Sequence, residues 1–305
     1  MAVTGATGFI GTNLCIRLLE QGFRVRALVR NPNKALDLSA RGVSLIRGDL
    51  QNPAALKQLL TGCDGIIHGA GAVRGANQAD FDQVNVAGTA ALLAAIKSQP
   101  HPLRLLHLSS ITAQEPDLSW YAHSKHDGEG LVKLVPELDW VIVRPPAVYG
   151  PGDKEMLPIF QWMSRGIAVV PGSPEARISL IHVSDLVTAL LACLATPITR
   201  HQVLSLCDGK PGGYNWHDMA SIAAVTWSRR VRLWPVPAWL LNGVARVILS
   251  TAKLTGGSPM LTPPKLRELR HENWVADNNA ITAATGWKPL VSLLEGMQEI
   301  RITAL

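Results

Sequence analysis

The chain has 305 residues, 47% hydrophobic and 17% charged, with a formal net charge of +6. That length and apolar content supply a full core and exclude a disordered or fibrous chain. The cations are scattered, with only short pairs such as Arg229-Arg230, so the positive balance points to anionic small molecules and excludes a nucleic-acid stripe.

Cys15, Cys63, Cys193 and Cys207 lie far apart without metal-ligand spacing, which predicts reduced thiols, no bound metal and a cytoplasmic setting. Met1 to Gly11 go straight into a folding motif, so no signal peptide is expected. Ala2 to Thr4 is short for a buried parallel strand, which leaves open a longer natural strand before Met1.

In chain order, strand-like runs are expected at Ala2 to Thr4, Arg24 to Val29, Val43 to Arg47, Gly65 to His68, Leu103 to Leu108 and Trp140 to Val143. Helical periodicity falls between them, at Ile10 to Gln21, Ala54 to Leu60, Phe81 to Lys97 and Tyr121 to Leu134. Strict alternation of this kind predicts an α/β fold with a doubly wound parallel sheet, whose strand carboxyl ends share one ligand-binding edge. After Tyr149, Pro151, Gly152, Pro158, Pro171, Gly172 and Pro174 break the rhythm. We therefore expect a nucleotide-binding domain over residues 1–146, to which 178–208 returns through Ile178 to Leu194 and Gln202 to Leu206. Residues 147–177 and 209–305 form a smaller, mostly helical substrate domain. The apolar stretch Val236 to Ala252 is interrupted by Asn242, Gly243 and Arg246, short of the roughly 20 apolar residues of a membrane span. Contact with a membrane surface stays open.

Thr4-Gly5-Ala6-Thr7-Gly8-Phe9-Ile10-Gly11 lies between the first strand and the first helix, the context a dinucleotide loop needs. Gly5 allows the tight turn, Gly8 lets the backbone approach a pyrophosphate, and Gly11 packs helix against strand; Thr7, Phe9 and Ile10 complete the loop. The second strand ends in Val29-Arg30, where an NAD enzyme would carry an acidic residue about 20 positions beyond the glycines. Arg30 suits a 2′-phosphate instead, with Lys34 assisting, so NADP is expected over NAD.

The TGATGFIG segment resembles the loop of the extended short-chain dehydrogenase/reductases, the NAD(P)-dependent epimerase/dehydratase family. Most of the chain shares the likeness. It implies a Rossmann fold, an adenine contact at Asp49-Leu50, a nicotinamide-side turn at Ala70-Gly71, the family's helix-borne asparagine at Asn85, and a cofactor contact at Pro145 in Arg144-Pro145-Pro146.

Tyr121-Ala122-His123-Ser124-Lys125 opens a helix, and a spacing of four puts phenol and ammonium on one face. A tyrosine near pKa 10 needs a neighbouring positive charge to act as a base at neutral pH, and Lys125 can supply it. In the family a hydroxyl from the end of the fifth strand holds the substrate oxygen; here Ser110 is the choice, with Ser109 and Thr112 as alternatives. SSI and YAHSK are most similar to the 3β-hydroxysteroid dehydrogenase-type branch. His123 is expected on the surface, and Asp185 as a helix cap below His182.

The resemblance implies hydride exchange with a hydroxyl or keto carbon, proton transfer by Tyr121, orientation by Ser110, and Lys125 serving both cofactor and phenol. The expected substrate is bulky and apolar, steroid-like or acyl-chain, with Trp234, Val236, Trp239 and Leu240 offering apolar walls. The alternative is a nucleotide-sugar epimerase or dehydratase, which would call on Arg177 and Lys154. Gln114-Glu115-Pro116 and the missing acidic ribose binder depart from that pattern. A non-catalytic binding subunit is opposed by the intact Ser/Tyr/Lys set, and a homodimer is compatible with the sequence.

Overall fold

The computed structural model describes residues 1–304. Its strands are β1 (Ala2–Thr4), β2 (Arg26–Val29), β3 (Ser44–Arg47), β4 (Gly65–His68), β5 (Arg104–Leu108), β6 (Asp139–Arg144), β7 (Ala147–Tyr149), β8 (Ile167–Val170), β9 (Arg177–Ile178), β10 (Leu180–His182), β11 (Gln202–Ser205), β12 (Arg232–Pro235) and β13 (Asn273–Trp274). The helices are α1 (Phe9–Glu20), α2 (Leu36–Ala40), α3 (Pro53–Leu60), α4 (Gln78–Asp82), α5 (Gly88–Lys97), α6 (Trp120–Lys133), α7 (Leu157–Ser164), α8 (Val183–Ala195), α9 (Trp216–Trp227), α10 (Ala238–Thr255), α11 (Pro263–Leu269), α12 (Asn279–Thr285) and α13 (Leu293–Ala304).

Seven parallel strands form one sheet in the order β11-β6-β5-β4-β1-β2-β3. The chain winds outward from β1 through β2 and β3, then restarts on the other side of β1 with β4. The β1/β4 boundary is therefore the switch point, where loops leave in opposite directions and a cleft opens. Both faces are covered: Leu14 and Leu18 of α1 pack with Leu186 and Leu190 of α8 on one, while Leu56 and Leu59 of α3 pack with Leu92 of α5 on the other. Continuous burial of β4 (GIIH) is what a strand covered on both sides requires.

Three expectations need correction. Leu180 to His182 does not re-enter the large sheet; it pairs with β7 in a separate two-stranded ladder, and only Gln202–Ser205 joins β6. The stretch expected as one helix, Phe81 to Lys97, is α4, a π-helical segment Gln83–Ala87, and α5. Beyond Tyr149 the chain also builds the small parallel pairs β8/β12 and β9/β13, and a third apolar cluster around Tyr149, Phe160, Met163 and Met297.

Asp185 does not cap α8. His182 does so, its ring nitrogen accepting from the Ser184 N–H, although that contact is long at 3.4 Å. Asp185 is buried and its Oδ2 accepts from the Leu290 and Val291 N–H groups at 2.9 and 2.8 Å, tying α8 to the approach to α13. Replacing Asp185 by alanine strands two backbone donors. We expect a loss of about 3 kcal/mol in a urea titration, and a change under about 0.5 kcal/mol would show that the tie contributes nothing.

Candidate active site

Gly5 follows β1 with φ +77°, and a Cβ there would lie 2.6 Å from the Gly69 carbonyl just after β4. Only glycine therefore lets the two strand ends approach. The Gly8 N–H donates to the Gly5 carbonyl at 3.0 Å, closing the turn, and Gly11 presses on the same carbonyl. α1 starts without a side-chain cap or a first-turn acid, so its N–H groups and dipole suit an anion such as a pyrophosphate. Thr7 and Gly8 are exposed at the loop's crest, and Phe9 and Ile10 are half-buried behind it. Arg30, at the end of the neighbouring strand β2, and Lys34 are both exposed. This cradle fits a dinucleotide.

The other expected contacts differ in kind. Asp49 is exposed, its Oδ1 accepting from the Gln51 N–H at 2.9 Å, whereas Leu50 is buried against Gly88, where a Cβ would come within 2.6 Å of it. Pro145 is buried and its carbonyl accepts from the Ile111 N–H at 2.9 Å, shaping the β5 exit. A Cβ on Gly71 would lie 3.2 Å from Asn85 Oδ1 and 4.0 Å from Lys125 Nζ, so these three residues meet at one point.

A directional hydrogen-bond chain runs beneath them. The Ala70 N–H donates to Thr4 Oγ1 at 3.2 Å, and Thr89 Oγ1 donates to the Asn85 carbonyl at 2.7 Å. With both ends fixed, the Thr4 hydroxyl donates to His68 Nδ1 (2.7 Å) and His68 Nε2–H donates to Thr89 (3.0 Å). Burial, with help from the Lys125 charge, pushes His68 down to about 3, so the ring is a neutral relay. The Asn85 side chain accepts from the Ala72 N–H (2.7 Å) and donates to the Ala72 carbonyl (3.1 Å) and to Ser124 Oγ (2.8 Å), linking the β4 exit to α6.

α6 is capped by Ser119, whose hydroxyl accepts from the Ala122 N–H at 3.0 Å. Ser110 and Ser109 are told apart by what they touch. Ser109 donates to buried Glu129 at 2.6 Å, while Ser110 accepts from the Thr112 hydroxyl at 3.0 Å and is the hydroxyl felt at the Tyr121 phenol. Tyr121 is pushed up to about 12 by burial and by the negative charge of Glu268, with the Ser110 hydroxyl opposing them. Lys125 is buried, donates to the Leu108 carbonyl at 2.7 Å, and is brought down to about 8 by burial against the pull of Glu129. The cation on the phenol's own ring is Lys265 of α11, 5.2 Å from its centroid and ion-paired with Glu268. Ser119 in turn donates to Glu268 at 2.6 Å.

Phe81, Trp120, Val73, Pro259 and Met260 close around Tyr121, leaving a cavity of about 10 Å³. Trp234, Trp239 and Leu240, expected as pocket walls, lie instead on the outer surface, 62%, 75% and 44% exposed. Arg177 donates to the Gly212 carbonyl at 2.9 Å, and His123 is half-exposed beside Asp127.

Residues 1–204, two thirds of the chain, match the NAD dependent epimerase/dehydratase family. The chain belongs to this family. It is 35% identical to the ceramide reductase of Caulobacter vibrioides over 90% of this chain and 85% of that one. The 2-alkyl-3-oxoalkanoate reductase of Shewanella oneidensis is 27% identical, over 98% and 84%. The structure of MoeE5 in complex with UDP-glucose and NAD superposes with a TM-score of 0.76 at 23% identity, covering 98% and 96%, which speaks for the fold alone. As a family member the protein is an NAD(P)-dependent oxidoreductase.

Sequence reading missed four residues of this candidate site. His68 lay inside an apolar strand pattern, and Lys265 and Glu268 lie more than 140 residues from Tyr121. Glu129 had a signal, one helical turn from both Lys125 and Lys133. Its fully buried carboxylate takes two hydrogen bonds from Arg144 (2.7 and 2.6 Å) and one from Lys133 (3.0 Å) besides that from Ser109. Burial alone would raise this carboxyl, but Arg144, Ser109 and Lys133 hold it below the usual range. Its contribution is therefore complete above the unfolded-chain value of about 4.3 and disappears as pH falls through the lower folded value. Glu129→Ala should cost about 3–5 kcal/mol at pH 7 and flatten the acid side of the stability profile; an unchanged acid slope in denaturant titrations would dismiss Glu129 as the anchor.

Proposed function

We propose that the protein is an NADP-linked reductase that converts the carbonyl of a long-chain or similarly apolar ketone into an alcohol. The observation that carries this reading is Tyr121, a phenol kept protonated at neutral pH and under apolar cover, with Ser110 acting on it from the carboxyl edge of the sheet. A protonated phenol is an acid, which suits reduction.

Gly5, Thr7, Gly8, Phe9, Ile10 and Gly11 would hold the pyrophosphate half of the dinucleotide, with Asp49, Leu50 and Pro145 shaping its flanks. Ala70, Gly71, Asn85 and Lys125 would hold the ribose and nicotinamide half. When bound, the reduced dinucleotide supplies the hydride that goes to the carbonyl carbon. Ser110 orients the carbonyl oxygen, and the Tyr121 hydroxyl donates its proton to that oxygen as the carbon is reduced. Lys125, still largely an ammonium at neutral pH, would serve the cofactor side, and Lys265 over the phenol ring is the cation placed to stabilise the phenolate left behind. Residues 1–146 with 178–208 would serve as the cofactor domain, and 147–177 with 209–305 as the substrate domain. Support for an apolar ketone comes from the side chains around Tyr121 and from the relatives named for ceramide and for 2-alkyl-3-oxoalkanoate reduction.

Arg30 would pair with a 2′-phosphate through two parallel hydrogen bonds and has no matching role toward a hydroxyl. Fluorescence titration should give tighter binding of NADPH than of NADH, and Arg30→Ala should weaken NADPH by about tenfold or more while sparing NADH. Equal affinities in the wild type would end the assignment.

Tyr121→Phe keeps the ring packing and should lower kcat by about 100- to 10,000-fold with cofactor affinity intact. In Glu268→Gln the charge that raises the phenol is gone and Lys265 loses its partner, so both effects favour phenolate. The alkaline limb of the reduction profile should move to lower pH. A limb that stays put, or a Tyr121→Phe enzyme of normal rate, assigns the proton to another group. Substrate class is read from cofactor absorbance with a 2-alkyl-3-oxoalkanoate, a steroid ketone and UDP-glucose; conversion of UDP-glucose alone would reverse the choice in favour of epimerase or dehydratase chemistry.

A further inference from the structure

α10 presents five large apolar side chains to solvent, while Leu241, Ile248 and Leu249 are half-buried. Ala245 and Ala252, two helical turns apart, are buried, whereas Trp239, Leu240, Val244, Val247 (64% exposed) and Leu254 (88% exposed) face outward. At about 100° per residue these five fall within an arc of roughly 140°. With Gly243 and Ile248 most of them line an apolar surface groove of about 380 Å³. A contiguous outward stripe of this kind marks an interaction surface.

The charges carried by this segment of the chain indicate what covers it. Between Asp218 and Glu268 the sequence contains no acidic residue, while Arg229, Arg230, Arg232, Arg246, Lys253 and Arg267 are all exposed. Arg246 and Lys253, again two turns apart, border the apolar arc on the Trp239 side. Strand alternation puts Arg232 beside exposed Trp234 on one face of β12, which runs directly into the helix. A second copy of the chain would bring like charges together across this surface, whereas anionic headgroups neutralise them. No helix among the described residues is long and apolar enough to cross a membrane.

We propose that α10, with Trp234 ahead of it, lies flat in the headgroup region of an anionic lipid bilayer. Tryptophan and the aliphatic side chains enter the acyl boundary, and Arg246 and Lys253 extend to the phosphates. The helix ends at Gly256 (φ +70°), and the chain continues through Pro259 and Met260, which cover Tyr121. The Gly75 N–H donates to the Pro259 carbonyl at 3.4 Å, holding that cover to the β4 exit. Docking therefore sets the mouth of the site at the lipid surface, where an apolar substrate resides.

The test reads binding alone, so it stands or falls separately from the reductase reading. The full chain is sedimented with vesicles of phosphatidylglycerol and phosphatidylcholine in equal parts, and with vesicles of phosphatidylcholine alone. Wild type should bind the anionic vesicles, bind the neutral ones weakly, and be released by salt. Trp239→Glu with Val247→Glu should lower partitioning by about tenfold or more while circular dichroism and cofactor binding stay unchanged. Arg246→Glu with Lys253→Glu should remove the preference for anionic vesicles. The proposal is overturned if wild type stays in the supernatant with both vesicle types, or if the apolar-face variant sediments like wild type. Conversion of an oligomer to a monomer by that variant, with vesicle binding unaltered, would overturn it too, making the face a subunit interface.

Discussion

The carboxyl edge of the sheet depends on how closely β1 and β4 approach beyond Thr4 and His68. Parallel strands are about 4.8 Å apart, so loops leaving two neighbours in opposite directions have almost no room for side chains at the divergence. Gly5 and Gly69 meet that limit by having none. The Thr4–His68–Thr89 chain then satisfies the polar groups enclosed there, and because burial keeps the imidazole neutral the relay encloses no charge of its own. Asn85 transmits this fixed geometry to α6, the helix that carries Tyr121 and Lys125.

The buried charge beneath α6 lies one turn further along. Glu129 would be unfavourable in the interior alone, but four donors from Ser109, Lys133 and Arg144 compensate it and join β5, β6 and α6 at one carboxylate. Ser109 is thereby committed to the scaffold, which leaves its neighbour Ser110 to meet the phenol. Two adjacent serines of the same chemistry acquire different roles because successive residues leaving a strand point to opposite sides.

Electrostatically the site differs from a simple tyrosine–lysine pair. Lys125 is turned to the Leu108 carbonyl, and it is Glu268 from α11 whose charge is felt at the phenol, with Lys265 over the ring. The late part of the chain thus supplies apolar cover and a charge pair to the same tyrosine. It also carries α10, so the segment that closes the site is continuous with the outward apolar face.

The doubly wound sheet, the glycine turn and the Tyr121/Lys125 spacing were legible in the sequence, because each is set by neighbours within a few residues: period-2 and period-3.6 patterns, a positive φ at Gly5, one helical turn. The π-helical segment at Gln83–Ala87 was not, since a single extra residue in a turn leaves the apolar pattern almost unchanged. Nor could local pattern tell that Asp185 would reach Leu290 and Val291 rather than cap its own helix, or that Trp239 would face outward while Pro259 and Met260 covered Tyr121. Periodicity states that a helix has an apolar side and is silent on whether protein or solvent lies against it. The contacts of Ser119 and Tyr121 with Glu268 and Lys265 join residues more than 140 positions apart, so they exist only once the whole chain has closed on itself, and only the tertiary structure decides them.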